Sequence, residues 1–193
     1  MRKSSQLALI IILIGLLGCT KQPAMKIYSL DTPTMSAVHG NIHTNKSIKV
    51  TYPQSLKDKV SQKMNFSYSS IDSGTYQNSE WSNNMRKLLQ GTFIEVLDES
   101  KLFKVVLSDT STLKEDYRLE STIFAFEHSV RGTASHAIVS IQFNLISTET
   151  GRLVKTKRFS YKEETPTKDA KGYVTATNRL IVKLCEDLLK WLK

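Results

Sequence analysis

The chain has 193 residues, 40% of them hydrophobic and 23% charged, with 27 Lys and Arg against 18 Asp and Glu for a formal net charge of +9. That is the length of one ordinary domain with a real core, and the bases are spread along the chain rather than gathered in one nucleic-acid-type block. Only two cysteines, Cys19 and Cys185, are present, which excludes a disulfide-built scaffold.

The N-terminus carries the strongest signal. Arg2 and Lys3 precede an apolar stretch from Leu7 to Leu17, and the run Leu16-Leu17-Gly18-Cys19 follows. A basic start, a short greasy segment and a small residue before the cut make a secretory signal. Leu7 to Gly18 is twelve residues, short of the roughly 20 that span a bilayer as a helix. A plain secretory cleavage site wants small residues at both −3 and −1, and Leu16 fits the first poorly. With Leu16 at −3, Gly18 at −1 and a thiol at +1, the segment resembles a bacterial lipobox, whose cysteine sulfur takes a diacylglyceryl group. Residues 1–18 are therefore expected to be a lipoprotein signal peptide and Cys19 the lipidated N-terminus. Two or three acyl chains, at about 0.8 kcal/mol per buried methylene, anchor firmly where one chain is marginal. Thr20 follows in place of the Asp that retains many such proteins in the inner membrane, which points to the outer membrane, facing the periplasm of a Gram-negative bacterium. Loss of residues 1–18, with Arg2 and Lys3, leaves 175 residues and lowers the net charge to +7.

Residues 19–46 are polar, with Pro23, Pro33 and Gly40, and read as a lipidated tether containing one short strand, Lys26 to Leu30. Residues 47–193 read as a single domain. Ser47 to Thr51 is a strand stopped by Pro53, and Gln54 to Gln62 is turn-like. Met64 to Ser70 and Thr75 to Asn78 form a hairpin about Ile71-Asp72-Ser73-Gly74. A helix is predicted from Ser79 to Ser100, capped by Ser79 or Ser82, with Trp81, Met85, Leu88, Leu89, Thr92, Val96 and Leu97 on one face. Gly91 inside it costs about 1 kcal/mol against Ala and suggests a close neighbour. Phe103 to Leu107 is a strand. Asp116 to Glu127, Ala137 to Ser147 and Leu153 to Lys162 alternate as an antiparallel meander, with loops around Gly132 and Gly151. A last helix runs from Asp169 to Leu192, its stripe formed by Tyr173, Thr177, Leu180, Ile181, Leu184, Leu188, Trp191 and Leu192. The order predicts a two-layer α+β domain, a predominantly antiparallel sheet packed by two amphipathic helices.

No catalytic constellation emerges. There is no Gly-rich phosphate loop and no Gly-x-Ser-x-Gly elbow. Glu163 and Glu164 are adjacent, so in a strand they point to opposite faces. His39 and His43 lie in the tether, where Gly40 opposes the helix that would pair them on a metal. His128 and His136 flank the predicted loop and read as a surface pair. Cys185 sits on the last helix as a small buried thiol. Neither a metal nor a cofactor is expected. Phe124 and Phe126 are placed on the sheet face opposite Tyr117, Leu119 and Ile123, where an aromatic pair would offer a partner surface.

Several of these features combine into a resemblance. Cys19 is followed by Tyr28-Ser29-Leu30, the Ile48-Lys49-Val50 strand, Trp81 opening an amphipathic helix that ends in Ser100-Lys101-Leu102-Phe103-Lys104-Val105-Val106, then Asp116-Tyr117-Arg118-Leu119, Phe126-Glu127, and a closing Leu189-Lys190-Trp191-Leu192. Over residues 19–192 the chain resembles the ABC-type transport auxiliary lipoprotein family, the paraquat-inducible protein C-like proteins. The resemblance implies a non-enzymatic subunit that works with an MCE-domain protein and its ABC permease and ATPase in lipid transport across the envelope. A second role, as assembly factor or pilot for another envelope complex, stays open, as do a phospholipid ligand and self-association. The compartment argues against nucleic acid. Cys19→Ser removes the thioether sulfur while leaving the domain intact, so the variant is expected to fold, to incorporate no labelled palmitate and to leave the membrane fraction.

Overall fold

The alternation over residues 116–147 folds into the two longest strands of one mixed sheet. The computed structural model describes residues 23–34, 43–55 and 61–193; the signal segment, Cys19, His39 and residues 56–60 of the turn-like segment lie outside them. The described elements are β1 (Lys26–Tyr28), β2 (His43–Val50), β3 (Gln54–Ser55), β4 (Lys63–Ser67), β5 (Ser73–Trp81), α1 (Met85–Ser100), β6 (Phe103–Ser108), β7 (Tyr117–Arg131), β8 (Ala134–Ser147), β9 (Arg152–Glu164) and α2 (Ala170–Leu192).

β7 organises the sheet because both of its edges are used. One edge pairs antiparallel with β8 from Tyr117↔Ser147 to Arg131↔Ala134, and β8 pairs antiparallel with β9. The other edge meets three short parallel strands in succession: β2 beside Tyr117 to Leu119, β3 beside Thr122 and Ile123, and β4 beside His128 and Ser129. β2 continues to β6, parallel; β4 continues to β5, antiparallel; β5 continues to β1, parallel. The parallel pairings outnumber the antiparallel ones, yet the long β7–β8–β9 meander carries most of the ladder. β1, β6 and β9 each have an outer edge with no strand partner among the described residues. The domain is α+β, as the element order predicts.

Both helices cover one face. Asn84 caps α1 by accepting from the Arg86 N–H, and Lys101 ends it in the left-handed conformation at φ 54°. Asp169 caps α2 by accepting from the Gly172 N–H at 2.8 Å. Gly172 is required there: a Cβ would lie 2.1 Å from the Thr167 carbonyl oxygen. α2 lies across β8 and β9, and α1 against β6 and β2. Met85, Leu89, Phe93, Val96 and Leu97 of α1 join Leu180, Ile181, Leu184, Leu188 and Leu192 of α2 over Val139, Ile141, Phe143 and Leu145 of β8 in one core. Phe93 meets Phe143 edge to face at 5.1 Å between ring centroids.

Several expectations are corrected. The helix begins at Met85 rather than Ser79, because Ser79, Glu80 and Trp81 pair with β1 at Lys26, Ile27 and Tyr28 and are drawn into β5. Trp81 is therefore a strand residue, buried at the edge of Phe126 and Tyr173. Gly91 is exposed, with open space where its Cβ would be, so no close packing explains it. The strand expected from Ser47 begins earlier, at His43.

Leu184 and Leu188 are fully buried on the α2 stripe. Leu184→Asp and Leu188→Asp each place an unpaired carboxylate in this core, a cost of several kcal/mol. Each variant is expected to lose its cooperative thermal transition in circular dichroism, whereas a melt within a few degrees of wild type would contradict the assignment of this stripe.

Candidate docking face and anchor

The sheet face away from the helices is built by the residues that alternate with the core positions. On β8 these are Ile138, Ser140, Gln142 and Asn144, and their register partners on β9 are Lys162, Ser160, Arg158 and Thr156. The face is wet and polar. Thr156 Oγ1 donates to Asn144 Oδ1 at 2.6 Å, Gln142 Nε2 donates to the same oxygen at 3.3 Å, and the Ser140 and Ser160 hydroxyls share a hydrogen bond at 2.7 Å. Arg158 Nε donates to Ser140 Oγ at 2.9 Å.

The predicted pair Phe124 and Phe126 does not share this face. The β7–β8 register jumps between Ile123↔Ile141 and Ala125↔Ser140, which leaves Phe124 as the extra residue of a β-bulge. The bulge reverses the alternation: Leu119, Ser121 and Ile123 face the helices before it, and Phe126 and His128 face them after it. Phe126 is 7% exposed and packs on Trp81. Phe124 is half-buried, and the Arg158 guanidinium carbon stacks 3.8 Å from its ring centroid. One aromatic residue, held flat by an arginine that Ser140 fixes in turn, is what this face offers a partner.

His128 corrects the second expectation. It is fully buried, not paired with His136 at the surface. The β7–β8 turn is only Gly132-Thr133, because Arg131 pairs Ala134 and Gly132 takes φ 59°; the strand therefore carries His128 inward. Its Nδ1 lies 2.6 Å from Tyr76 Oη and its Nε2 2.7 Å from Ser135 Oγ. Ser135 Oγ is 2.6 Å from Thr165 Oγ1, which donates to the Ser135 carbonyl. A single proton direction satisfies the whole chain: Tyr76 O–H to Nδ1, Nε2–H to Ser135, Ser135 O–H to Thr165. Tyr173 stacks on the ring at 5.1 Å. The Ser135–His128 contact is a tie beneath the N-terminus of α2, with both groups buried from solvent. The signal that places His128 is the parity after Phe124, which alternation alone does not reveal.

Several clefts border the sheet, among them one beside β2 and one beside α2. One, of about 440 Å³, opens where β7 passes from β2 to β3 and is lined by Lys49, Gln54, Asp109, Arg118, Glu120 and Thr122. Its cations are occupied: Lys49 Nζ and Arg118 Nη2 each lie 2.7 Å from Glu115. Burial raises the Glu115 pKa, but the hydrogen bonds from Lys49 and Arg118 outweigh it and hold the carboxyl below its ordinary value. Next to it, the Ser47 backbone N–H, then Lys46 and the Ser47 hydroxyl, bring Asp116 down to about 2. Asp116 thereby fastens the middle of β2. The other cleft lies between β9 and α2, about 480 Å³, with Lys157, Tyr161, Lys183, Asp187, Lys190 and Trp191 along it. Tyr161 donates to Asp187 at 2.7 Å, and Lys183 and Lys190 lie 3.9 and 3.6 Å from the same carboxylate; with Lys157 and Arg158 the bases outnumber this one acid and the rim is predominantly basic. Burial pushes the Cys185 thiol to about 12, so it is protonated.

The geometry defines a two-layer domain with a closed core, a polar sheet face, a charge-balanced cleft beside β2 and a basic cleft between β9 and α2. Residues 28–188 match the sequence model of the family described as ABC-type transport auxiliary lipoprotein component. The chain belongs to that family. A Xanthomonas campestris protein of family DUF330 has the same fold, with a TM-score of 0.78 at 16% identity over 86% of this chain and 93% of its own. An uncharacterised protein superposes with a TM-score of 0.67 at 12% identity, over 89% of this chain and 100% of that one. A hypothetical protein of Chlamydia trachomatis superposes with 0.53 at 5% identity, over 77% and 95%. At these identities the likeness is one of fold. No functionally curated protein is significantly similar in sequence. The motif residues Asp116, Tyr117, Trp81 and Phe126 have structural roles here, in clamping β2 and filling the core.

Burial holds the His128 ring at a pKa of about 4, against an ordinary value of 6.5. Between those two pH values the unfolded chain binds more protons at this ring than the folded one. The stability it contributes is present above pH 6.5 and lost as pH falls through 4, on the order of 3 kcal/mol in all. Urea unfolding at stepped pH is expected to show this slope in the wild type and a markedly smaller one in His128→Gln.

Proposed function

We propose that the protein is anchored through lipid on Cys19 at the outer membrane, facing the periplasm, and serves as the non-enzymatic docking subunit of an MCE-type ABC lipid transport system. The observation that carries the reading is the family match across residues 28–188, whose members are auxiliary lipoproteins of ABC transport. The lipobox supplies the anchor. The polar face around Phe124 and Arg158 supplies a contact surface, and the basic rim between β9 and α2 attracts an acidic partner or anionic headgroups, an attraction that salt weakens. A hydrated sheet face of this kind suits a protein partner better than an acyl chain.

Affinity isolation of the lipidated protein from detergent-solubilised membranes tests this. An MCE-domain protein is expected to come with it, in lower yield at raised salt. Phe124→Ser is expected to reduce that yield several-fold while the melting temperature stays within a few degrees, whereas Phe126→Ser acts through the core and unfolds the domain. Isolation of an unrelated envelope complex instead would support the pilot role, and turnover of an ester or glycan substrate by the purified protein would remove the docking role.

A further inference from the structure

We propose that the turn between β4 and β5 dips into the bilayer that holds the lipid anchor, with Ile71 and Tyr68 as the inserting side chains. The inference rests on lipidation at Cys19 and adds a second membrane contact to it. Ile71 is 96% exposed, the most exposed large hydrophobic side chain among the described residues, and Tyr68 beside it is 53% exposed. The turn that presents them is firmly built. The Tyr68 and Ser69 N–H groups donate to the Asp72 carbonyl at 2.8 and 3.2 Å, and the Ile71 and Asp72 N–H groups donate to Ser69 Oγ at 3.3 and 3.1 Å. Backbone donors satisfied within the turn are what entry into an apolar medium demands. Beneath it, the Phe66 ring lies 5.1 Å from Tyr68 and 5.3 Å from Tyr76. It also covers Gly74, where a Cβ would come within 2.8 Å of it. An isoleucine on a rigid aromatic platform, pointing into water, lacks only its apolar medium.

The direction of the chain identifies that medium. β1 runs parallel to β5 with Lys26 opposite Ser79, so upstream of Lys26 the chain is aimed at the start of β5 and the turn. Cys19 lies seven residues before Lys26, which limits it to about 25 Å from Lys26 in any conformation. Ser79 is likewise seven residues from Asp72, about 23 Å along an extended strand. The acyl chains and the turn can therefore reach one bilayer plane together. β4 is parallel to β7, so the Gly132 turn lies at the same end. Exposed Arg131 and Lys168 stand there, the Lys168 ammonium on the Gly132 carbonyl, for anionic headgroups. Asp72 keeps the turn shallow, and the amphipathic ring of Tyr68 suits the headgroup boundary.

The test uses the full lipidated protein carrying Ile71→Cys, Tyr68→Cys or, as a reference at the far end of β7, Leu113→Cys, each labelled with an environment-sensitive fluorophore. Cys185 is buried and leaves the label specific. In vesicles of phosphatidylethanolamine and phosphatidylglycerol containing brominated lipid, positions 71 and 68 are expected to be quenched at least roughly twofold more than position 113 and to shift to the blue. If position 71 matches position 113 in lipidated protein, the insertion is wrong while the anchor stands. If the N-terminal peptide carries no diacylglyceryl mass, the anchor itself is wrong and the insertion falls with it.

Discussion

The antiparallel ladder between β7 and β8 is the constraint on which the rest depends. It is long enough to give both helices a continuous apolar floor through Ala137, Val139, Ile141, Phe143 and Leu145, all fully buried. With one edge of β7 committed to β8, the other edge is shared in sequence by β2, β3 and β4. The single irregularity at Phe124 reconciles two demands. Near Tyr117 the inward positions must meet the core under both helices; near Arg131 they must meet the start of α2, where His128 and Tyr173 stack. A strand with an uninterrupted period of two could meet only one of these.

That arrangement separates stability from contact. The helix-covered side is closed by apolar packing, by aromatic edges around Trp81 and by the hydrogen-bonded chain from Tyr76 to Thr165. The opposite face is held by serine, asparagine, threonine and arginine side chains that hydrogen-bond across strands, so it keeps its shape in water without a covering layer. The Xanthomonas campestris protein reaches the same fold at 16% identity.

Much of the fold was legible in the sequence, and the failures have local causes. The meander and α2 were readable because long alternating or three-to-four-spaced runs leave few alternatives. The residues Ser79 to Trp81 look helical because Trp81 sits four positions before Met85, and only pairing with a strand some fifty residues upstream puts them in β5. The parallel strands β2, β3 and β4 are short, and nothing in their composition names β7 as a shared partner. Phe124 and Phe126 have the spacing of one strand face, and a bulge leaves no mark in such a pattern, so Phe126 reads as outward; His128 reads as a loop residue because the sequence does not show that β7 runs on to Arg131. Cys19 lies outside the described residues, and its role comes from the sequence alone.

The outer edge of β9 has a consequence for assembly. A thirteen-residue strand whose outer edge has no strand partner among the described residues is a template on which another chain can lay its backbone. Here Arg152, Lys155, Lys157, Arg158 and Lys162 crowd that strand. A second copy laid against it would bring two like-charged rows within a strand's spacing, so the edge acts as a terminator of polymerisation. Higher-order architecture built from this domain is steered instead to the sheet face, the clefts or the lightly charged edge of β6.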